Sequence, residues 1–379
     1  MQQQHDVHHM RKALELGHYA LGRTAPNPSV GAVIVDDQGI AGCGWTQPVG
    51  GEHAEIKAIA AAGDRAHGAT LYVTLEPCAH HGRTAPCVDA ILSAGIARCV
   101  VAIEDPYPQV HGKGLEVLHS GGVNVDIGVC KDDATELLAG YLSRVERGRP
   151  LVRAKYAMTL DGRIATRSGQ SRWITGATAR RHAHVLRDRA DAVLVGAGTV
   201  NADDPALTTR LAEEFAGDGG AHHPLRVVVD ARGMTSPSAQ IYQADLPSHT
   251  LVATTTGAPS WWINDLAEAG VEHLLCGDGP SVDLDLLLQK LGARGINEVL
   301  VEGGSRILGA FFDADLVDRI AAFVAPVVVG GWAAPGPVGG LGYASMSDAL
   351  RLSGVTITCL DSDVLIKGAV ERAGRERAS

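Results

Sequence analysis

Apolar residues follow two different patterns along the first 150 residues, helical spacing in some stretches and short continuous runs in others. Residues 7–22 place apolar side chains at helical spacing, whereas residues 29–37 form an almost continuous apolar run that ends in a turn. Helix-like and strand-like stretches then follow one another, which predicts an α/β layered fold. The predicted strands are 29–37, 40–47, 70–75, 98–105 and 123–129, and the predicted helices are 7–22, 53–62, 87–94, 115–120 and 132–145.

A break at residues 147–150 separates this set from a second one. Gly148 ends the preceding helix and Pro150 prevents its continuation. We therefore predict two α/β domains, residues 1–147 and residues 150–379. In the second domain, the predicted strands are 151–160, 192–199, 225–231, 250–255, 271–276, 297–304 and 319–330, and the predicted helices are 177–189, 282–291 and 305–314.

Composition narrows the class of protein. A net charge of −10 and an aromatic content of 4% argue against a nucleic-acid-binding surface, which is usually basic and offers stacking rings. The polar N-terminus contains no apolar signal region, and no apolar run is long enough for a membrane span. The seven cysteines are scattered and odd in number, which does not indicate a disulfide framework. We expect a cytoplasmic protein without nucleic-acid or membrane partners.

The stretch from His53 to Cys87 carries the strongest chemical signal. It contains His53, Cys78 and Cys87, the nitrogen and sulfur ligands that zinc prefers; three such ligands leave a fourth position for water. Glu55 lies two residues after the histidine, where a carboxylate can transfer a proton from that water to a leaving nitrogen. The pattern matches the zinc deaminase signature, except that the second cysteine follows the first by nine residues instead of three.

Two other interpretations compete with a catalytic zinc site: the three residues have no metal role at all, or they belong to a structural zinc site. Each ligand alone is a common residue: His53 could simply begin a helix, and free cysteines are often buried as small apolar side chains. A structural zinc site would need a fourth protein ligand, for which Cys43, His80 and His81 are the candidates. That interpretation leaves Glu55 without a role.

The second domain contains weaker signals. VGAGTV at 195–200 is half of a dinucleotide fingerprint and lacks the third glycine. VLVEGGS at 299–305 is a strand that runs into two glycines and a helix, where backbone N–H groups can bind phosphate. A tight strand-to-helix turn without a ligand explains this second motif equally well.

Taken together, the motifs resemble the bifunctional deaminase/reductase family of riboflavin biosynthesis over nearly the whole chain. The resemblance implies a cytidine-deaminase-like α/β/α domain followed by a dihydrofolate-reductase-like α/β domain that binds NADPH. It also accounts for the long spacing between the cysteines. The matching stretches are TAPNPSVGAVIV (24–35), HAE (53–55), YVTLEPCAHHGRTAPC (72–87), EDPYPQVHGKG (104–114), KYAMTLDGR (155–163), SRWITG (171–176), GAGTV (196–200), ADDPALTTR (202–210) and VEGG (301–304).

The resemblance implies two reactions and the residues that serve them. The first is zinc-dependent removal of the 2-amino group from a diaminopyrimidinone that carries a ribosylamino 5'-phosphate. The second is NADPH-dependent reduction of the ribosyl group to ribityl. One zinc per chain would be bound by His53, Cys78 and Cys87, with Glu55 as the catalytic residue. NADPH would contact Ala157, Trp173, Thr199, Asp203, Gly304, Ser305, Arg306, Ile307, Leu308, Gly309 and Ala310; the substrate would contact Ser171, Arg187, Leu207, Arg210 and Glu302.

Two alternatives remain open at this point. One is a zinc deaminase of nucleic-acid bases with a non-catalytic C-terminal part; the other is a zinc-stapled binding protein without activity. NADPH binding would exclude the former, and a zinc with an open water position would exclude the latter. For the bifunctional enzyme, Arg187 and Arg210 suit the substrate phosphate, because the guanidinium fork matches phosphate oxygens. We expect a homo-oligomer, a dimer or a tetramer.

Overall fold

The structure is a computed structural model that describes residues 2–80, 85–212 and 220–372. The chain divides into two compact units: Met1–Pro150 with Gly292–Asn297, and Leu151–Leu291 with Glu298–Ser379. In the described ranges, every helix is too short or too polar to cross a lipid bilayer.

The first unit is built on a five-stranded sheet with the order β2-β1-β3-β4-β5. β1 is antiparallel to both of its neighbours, whereas β3, β4 and β5 run parallel. The strands are β1 (Gly31–Asp36), β2 (Gly39–Trp45), β3 (Thr70–Val73), β4 (Arg98–Val101) and β5 (Asn124–Ile127). The helices are α1 (Gln2–Gly17), α2 (Ala54–Ala62), α3 (Cys87–Ser93), α4 (Lys113–Ser120), α5 (Lys131–Leu137) and α6 (Ala139–Arg147), with 3₁₀ turns at His18–Ala20 and Gly63–Ala66.

Helix α2 lies unusually close to the sheet because small residues face each other. A Cβ atom at Gly42 would come within 2.2 Å of the Ala58 carbonyl oxygen, and one at Gly44 within 2.2 Å of the Ala54 carbonyl oxygen. Only glycine permits this approach of helix backbone to strand backbone. The contact fixes the first turn of α2, which carries Glu55.

The second unit contains a nine-stranded sheet with the order β10-β9-β8-β7-β11-β6-β12-β14-β13. The first seven strands in this order, from β10 through to β12, are all parallel. β14 pairs antiparallel with β12, and β13 pairs antiparallel with β14. The strands are β6 (Leu151–Thr159), β7 (Ala192–Gly196), β8 (Leu225–Val229), β9 (Thr250–Thr254), β10 (Glu272–Leu275), β11 (Glu298–Val301), β12 (Arg319–Ala325), β13 (Leu352–Leu360) and β14 (Asp363–Val370). The helices are α7 (Ala177–Arg189), α8 (Ala197–Asp203), α9 (Ser260–Glu268), α10 (Leu284–Ala293) and α11 (Ser305–Asp313), with a 3₁₀ turn at Gln240–Tyr242.

This topology brings the carboxyl ends of three central strands together. β7, β11 and β6 are consecutive neighbours, so the residues that follow each of them meet at one edge of the sheet, where ligands of open α/β sheets usually bind. The GAGTV and VEGG motifs both lie at this edge.

The sequence predicted most elements, with errors that have local causes. The predicted helix 132–145 is two helices that break at Leu138, and the predicted strand 192–199 ends at Gly196, where α8 begins. The predicted strand 319–330 ends at Ala325. Helices α8 and α9 and strands β13 and β14 were not predicted; β13 has an exposed central stretch, so it lacks the buried apolar run on which the strand predictions depended.

Candidate active sites

Three side chains of the first unit form a compact cluster of metal-binding atoms. His53 is the N-cap residue of α2, Cys87 is the first residue of α3, and Cys78 follows β3. One potential ligand atom from each residue lies within 4.8 Å of the others. Residues separated by up to 34 positions in the sequence are therefore brought together by one strand end and two helix starts.

The distances within this cluster fit a tetrahedral zinc ion. Nδ1 of His53 lies 3.2 Å from Sγ of Cys87 and 3.6 Å from Sγ of Cys78. Usual zinc–sulfur and zinc–nitrogen bond lengths at a tetrahedral angle would separate nitrogen and sulfur by about 3.5 Å. The histidine thus presents Nδ1 to the metal position.

Hydrogen bonds in the cluster favour a thiolate at Cys78. The thiol of Cys87, the imidazole of His53 and the backbone N–H of Cys87 all lower the pKa of Cys78, against the opposing effect of burial. The hydrogen bond between the two side chains raises the pKa of Cys87, and burial raises it further. A cation bound between the sulfurs would favour the thiolate form of both cysteines.

Glu55 lies beside the cluster and is not part of it. Its side chain is buried, and burial followed by the nearby Cys78 sulfur raises the pKa of Glu55 to about 7. The carboxylate accepts a hydrogen bond from the Cys87 thiol. A carboxyl group with a pKa near neutrality can both accept and donate a proton under ordinary conditions.

The proposed fourth ligands of a structural zinc site are not found in the cluster. Among the residues that the structure describes, neither Cys43 nor His80 places a ligand atom with the three others. His81 lies outside the described residues. The geometry therefore supports an open coordination position, as catalytic zinc sites have.

A cavity of about 410 Å³ opens from the cluster. Its size suits a small organic molecule. His80 reaches its wall with a buried Nδ1 for which no hydrogen-bond partner is seen in the described ranges. The lining residues are Pro26, Asn27, Pro28, Val30, Thr46, Val49, Gly50, Gly51, His53, Glu55, Leu75, Glu76, Cys78, His80, Asp105, Tyr107, Val110, Tyr141 and Arg144.

Asp105 and Tyr141 are lining residues to which the sequence analysis gave no role. The Tyr141 hydroxyl donates to both carboxylate oxygens of Asp105, at 3.0 and 3.1 Å. Burial raises the pKa of Asp105 and also that of Tyr141. The signal for Asp105 was its place at the end of the predicted strand 98–105, in the EDPYPQVHGKG stretch, but Tyr141 lies in an ordinary amphipathic helix pattern.

In the second unit, the predicted cofactor turn is a close strand-to-helix connection. A Cβ atom at Gly303 would come within 2.1 Å of Ile307, so tight packing explains this glycine. Gly304 is the N-cap of α11, and its N–H donates to Thr199 Oγ1 at 2.9 Å. The structure thus joins the GAGTV and VEGG motifs directly, and the helix begins at Ser305.

The predicted substrate residues Arg187 and Glu302 bind each other. Nε and Nη2 of Arg187 donate to the two Glu302 oxygens at 2.9 and 3.0 Å, and Nη1 donates to the Thr208 carbonyl at 2.6 Å. Lys155 Nζ lies 3.7 Å from Glu302. Burial would raise the pKa of Glu302, but Arg187 and Lys155 outweigh it and lower the pKa to about 2. Lys155 was not predicted as a site residue, although it begins the KYAMTLDGR stretch that matches the family.

The other predicted reductase residues differ in their contacts and in their exposure to solvent. Ser171 Oγ donates to Asp203 Oδ1 at 3.4 Å, and Trp173 is 70% exposed with the Arg180 guanidinium over its ring. Arg210 is exposed, and its backbone N–H donates to His184 Nδ1 at 3.2 Å. Ser305, Ile307 and Ala157 are partly buried, Arg306 and Ala310 are exposed, and Leu207, Leu308 and Gly309 are buried.

Burial limits what three of these residues can offer a ligand. Leu207 and Leu308 belong to the core, so only their backbone atoms are available for polar contacts. A Cβ atom at Gly309 would come within 2.4 Å of the Gly339 backbone. Its face of α11 is therefore covered by another segment of the same unit.

Comparison with known proteins identifies two family matches along the chain. Residues 3–103 match the family model described as the cytidine and deoxycytidylate deaminase zinc-binding region. Residues 150–366 match the model described as the RibD C-terminal domain.

Relatives match across most of the chain. The riboflavin biosynthesis protein RibD of Aquifex aeolicus is 40% identical over 361 residues, which cover 95% of this chain and 97% of the relative. RibD of Escherichia coli is 40% identical over 86% of this chain and 89% of the relative. Two solved structures cover 98% of this chain and 100% of their own: RibD of Acinetobacter baumannii, 37% identical with a TM-score of 0.87, and a diaminohydroxyphosphoribosylaminopyrimidine deaminase/5-amino-6-(5-phosphoribosylamino)uracil reductase of Thermotoga maritima, 34% identical with a TM-score of 0.84.

Proposed function

The chain belongs to the RibD family and is a bifunctional deaminase and reductase of riboflavin biosynthesis, and we propose how its residues divide these two activities. The predicted pairing of a cytidine-deaminase-like domain with a reductase domain is confirmed by the two family matches. The alternative of a base deaminase with a non-catalytic C-terminal part is wrong, because that part matches the RibD C-terminal domain.

The division of labour follows the chain order. Residues 1–147 carry deamination and residues 150–379 carry reduction. The start of the second family match at residue 150 supports this boundary. The short segment Gly292–Asn297 groups with the first unit, which the boundary proposed from sequence does not anticipate.

In the deaminase, His53, Cys78 and Cys87 hold the zinc. When bound, zinc lowers the pKa of a coordinated water toward neutrality and so supplies a nucleophile. Glu55 moves protons: it accepts one from the attacking water and delivers it to the leaving amino nitrogen. Its buried position beside the cluster and its raised pKa support this role.

The cavity beside the zinc ligands receives the pyrimidine. Its lining combines apolar side chains with a few fixed polar groups, including Asn27, Asp105 and His80. Such a lining excludes bulk water while it orients a polar ring. We assign the diaminopyrimidinone phosphate as substrate, in agreement with the activity that the Thermotoga maritima protein's name gives.

In the reductase, NADPH binds at the carboxyl edge of β7 and β11. Thr199 and the start of α11 at Gly304 meet at this edge, and the first turn of a helix offers free N–H groups to a phosphate. Asp203, the last residue of α8, stays a predicted contact. When bound, NADPH supplies a hydride. Ala157, Trp173 and the remaining residues of 305–310 stay predicted contacts, with buried Leu308 and Gly309 restricted to backbone or apolar contact. Preference for NADPH over NADH also stays a prediction.

The substrate of the reductase lies beside the Arg187–Glu302 pair. Because the Arg187 guanidinium is already bound to Glu302 and Thr208, we assign the substrate phosphate to the exposed Arg210 and the ribosyl hydroxyls to Glu302. Ser171 and the Leu207 backbone complete the predicted substrate contacts. Lys155, 3.7 Å from Glu302, is added to them as a group that can donate to the same ligand.

The observation that carries this proposal is the cluster of His53, Cys78 and Cys87 with Glu55 beside it, in a chain whose C-terminal part matches a reductase. Incubation of purified protein with the diaminopyrimidinone phosphate should release ammonia without a nucleotide cofactor. Addition of NADPH should then convert the deaminated product to a species heavier by two hydrogens in mass spectrometry. Ammonia release without NADPH-dependent reduction would contradict the bifunctional assignment.

The cytoplasmic location and the homo-oligomer stay predictions. Strand β13 at the edge of the large sheet exposes Val355 and Ile357, which supports association through that edge. Light scattering after size-exclusion chromatography measures the molar mass directly; a monomer at micromolar concentration would contradict the prediction.

A further inference from the structure

One buried carboxylate in the first unit accepts hydrogen bonds from four backbone N–H groups. Glu76 Oε2 accepts from Asp105 at 3.1 Å and from Gly112 at 3.0 Å. Its Oε1 accepts from Gly114 at 2.9 Å and from Leu115 at 3.4 Å. Glu76 is 3% exposed and lies two residues before Cys78, yet it has no role in the proton transfer or metal binding described above.

Three of these donors belong to the start of helix α4. Gly112 is the N-cap of α4, and Gly114 and Leu115 lie in its first turn. The first N–H groups of a helix lack partners within the helix, and a negative charge there is favourable. Glu76 therefore caps α4 from another part of the chain, with charge-assisted hydrogen bonds that are stronger than neutral ones.

The fourth donor, the backbone N–H of Asp105, lies outside α4, so Glu76 also holds the segment that precedes this helix. Asp105 and Gly112 flank residues 106–111, so a single oxygen of Glu76 holds both ends of this segment, which we call the wall segment. Tyr107 and Val110 of the wall segment line the cavity beside the zinc ligands, as does Asp105 itself. Glu76 thus fixes the position of the wall segment relative to the zinc ligand Cys78, which follows it by two residues.

A glycine in α4 shows how close this packing is. A Cβ atom at Gly114 would come within 2.0 Å of the Pro77 carbonyl oxygen and 3.1 Å of Glu76 Oε1. The first turn of α4 therefore lies directly against the backbone that leads to Cys78. No other residue type fits at position 114 without moving one of the two.

From these contacts we infer that Glu76 is a positioning residue of the deaminase, which sets the distance between the wall segment and the zinc ligands and so determines the affinity for the pyrimidine. The inference rests on the proposed deaminase function of this cavity. Glu76 itself lines the cavity, but backbone N–H groups already bind both of its carboxylate oxygens, so we assign its effect to the backbone of residues 105–115. Its loss should therefore affect substrate binding more than the chemical step.

The test uses Glu76→Gln in the full-length, zinc-loaded protein. An amide offers one acceptor oxygen and turns an N–H₂ group toward backbone donors, so about half of the four bonds are lost. We expect KM for deamination to rise roughly tenfold to hundredfold, since small displacements of positioning groups have effects of this size, with kcat changed much less. Zinc content and NADPH-dependent reduction of the deaminated intermediate should be unchanged. Glu116→Gln, an exposed position in the first turn of the same helix, is the matched control and should behave like the wild type.

Hydrogen exchange without substrate separates this inference from the proposed function. Amide exchange in residues 105–115 should accelerate in Glu76→Gln and remain unchanged elsewhere. A raised KM with unchanged exchange would place Glu76 in direct contact with the substrate and overturn the inference, as would accelerated exchange with an unchanged KM. Absence of deamination in the wild type would instead count against the proposed function.

A second variant leaves Glu76 intact, in case Glu76→Gln does not fold. Gly114→Ala should displace α4 from Pro77 and raise KM in the same direction, with faster exchange in the same residues. Wild-type KM in a folded Gly114→Ala protein would overturn the inference. Gly279→Ala, at an exposed position without a left-handed backbone where a Cβ atom meets only the Ser281 carbonyl oxygen at 4.0 Å, controls for the loss of a glycine.

Discussion

Arg187 and Glu302 form a two-bond ion pair that joins helix α7 to the end of strand β11, with distances of 2.9 and 3.0 Å between nitrogen and oxygen. Both side chains are about nine-tenths buried. From sequence, both residues were expected to contact the substrate. The structure makes them one unit, in which Arg187 orients the Glu302 carboxylate.

The first prediction concerns the stability that this pair provides. Glu302 has a folded-state pKa of about 2, below the ordinary 4.5, so its contribution is present above pH 4.5 and is lost as pH falls toward 2. Glu302→Gln should lower the free energy of unfolding at pH 7 by about 3–5 kcal/mol, because it leaves a buried guanidinium without its counter-charge. The acid-induced loss of stability between pH 4.5 and 2 should be smaller than in the wild type.

Urea unfolding at a series of pH values measures both effects. Glu268→Gln removes an exposed carboxylate of the same unit and should leave the curve unchanged. If the Glu302→Gln curve ran parallel to the wild-type curve over this pH range, the pair would not have the depressed pKa, and Glu302 would have to be more exposed to solvent than the structure has it.

The second prediction concerns phosphate recognition. Arg210→Ala should raise KM of the reductase for the phosphorylated intermediate by roughly tenfold to hundredfold, which corresponds to loss of a charge-assisted contact. The same change should have little effect on KM for the dephosphorylated compound. NADPH oxidation at varied substrate concentration gives both values, with the exposed Arg181→Ala as control. An equal effect on the two compounds would assign the phosphate to another group.

The third prediction concerns the metal ligands. Cys78→Ser should lose bound zinc, whereas Cys43→Ser should keep one zinc per chain and full deamination, since Cys43 does not belong to the cluster. Elemental analysis after dialysis measures zinc, and ammonia release measures activity. Loss of zinc in Cys43→Ser would support a four-ligand structural site in place of an open catalytic one.

The sequence predicted the metal site more completely than the reductase site. His53, Cys78 and Cys87 are recognisable because zinc restricts its ligands to a few residue types and because the ligands follow strand ends and helix starts. The residues predicted for the reductase site are joined to each other by a backbone hydrogen bond and an ion pair, which leave no characteristic spacing. The pairing of Arg187 with Glu302 depends on two segments 115 residues apart, and no local pattern encodes it.

The same distinction applies to the fold. Buried parallel strands such as β7 and β8 were found because their apolar runs are continuous. Strand β13 was missed because its middle is exposed and its place in the sheet depends on pairing with β14. Glu76 was missed for a related reason: its partners are backbone N–H groups, which any sequence supplies.

We propose that the chain has two separate active sites, of which Glu55 serves only the first. The most direct test is Glu55→Gln, assayed for ammonia release and, on the deaminated intermediate, for NADPH oxidation. The exposed Glu52→Gln is the matched control, and Asp203→Ala should show the opposite pattern, with ammonia release retained and reduction impaired.

For Glu55→Gln we expect one zinc per chain, wild-type reduction of the intermediate, and a rate of ammonia release lower by about 10²–10⁴-fold, the usual contribution of general acid–base catalysis. A folded, zinc-loaded Glu55→Gln protein that had lost both activities would contradict the account, because a single shared active site would then be required.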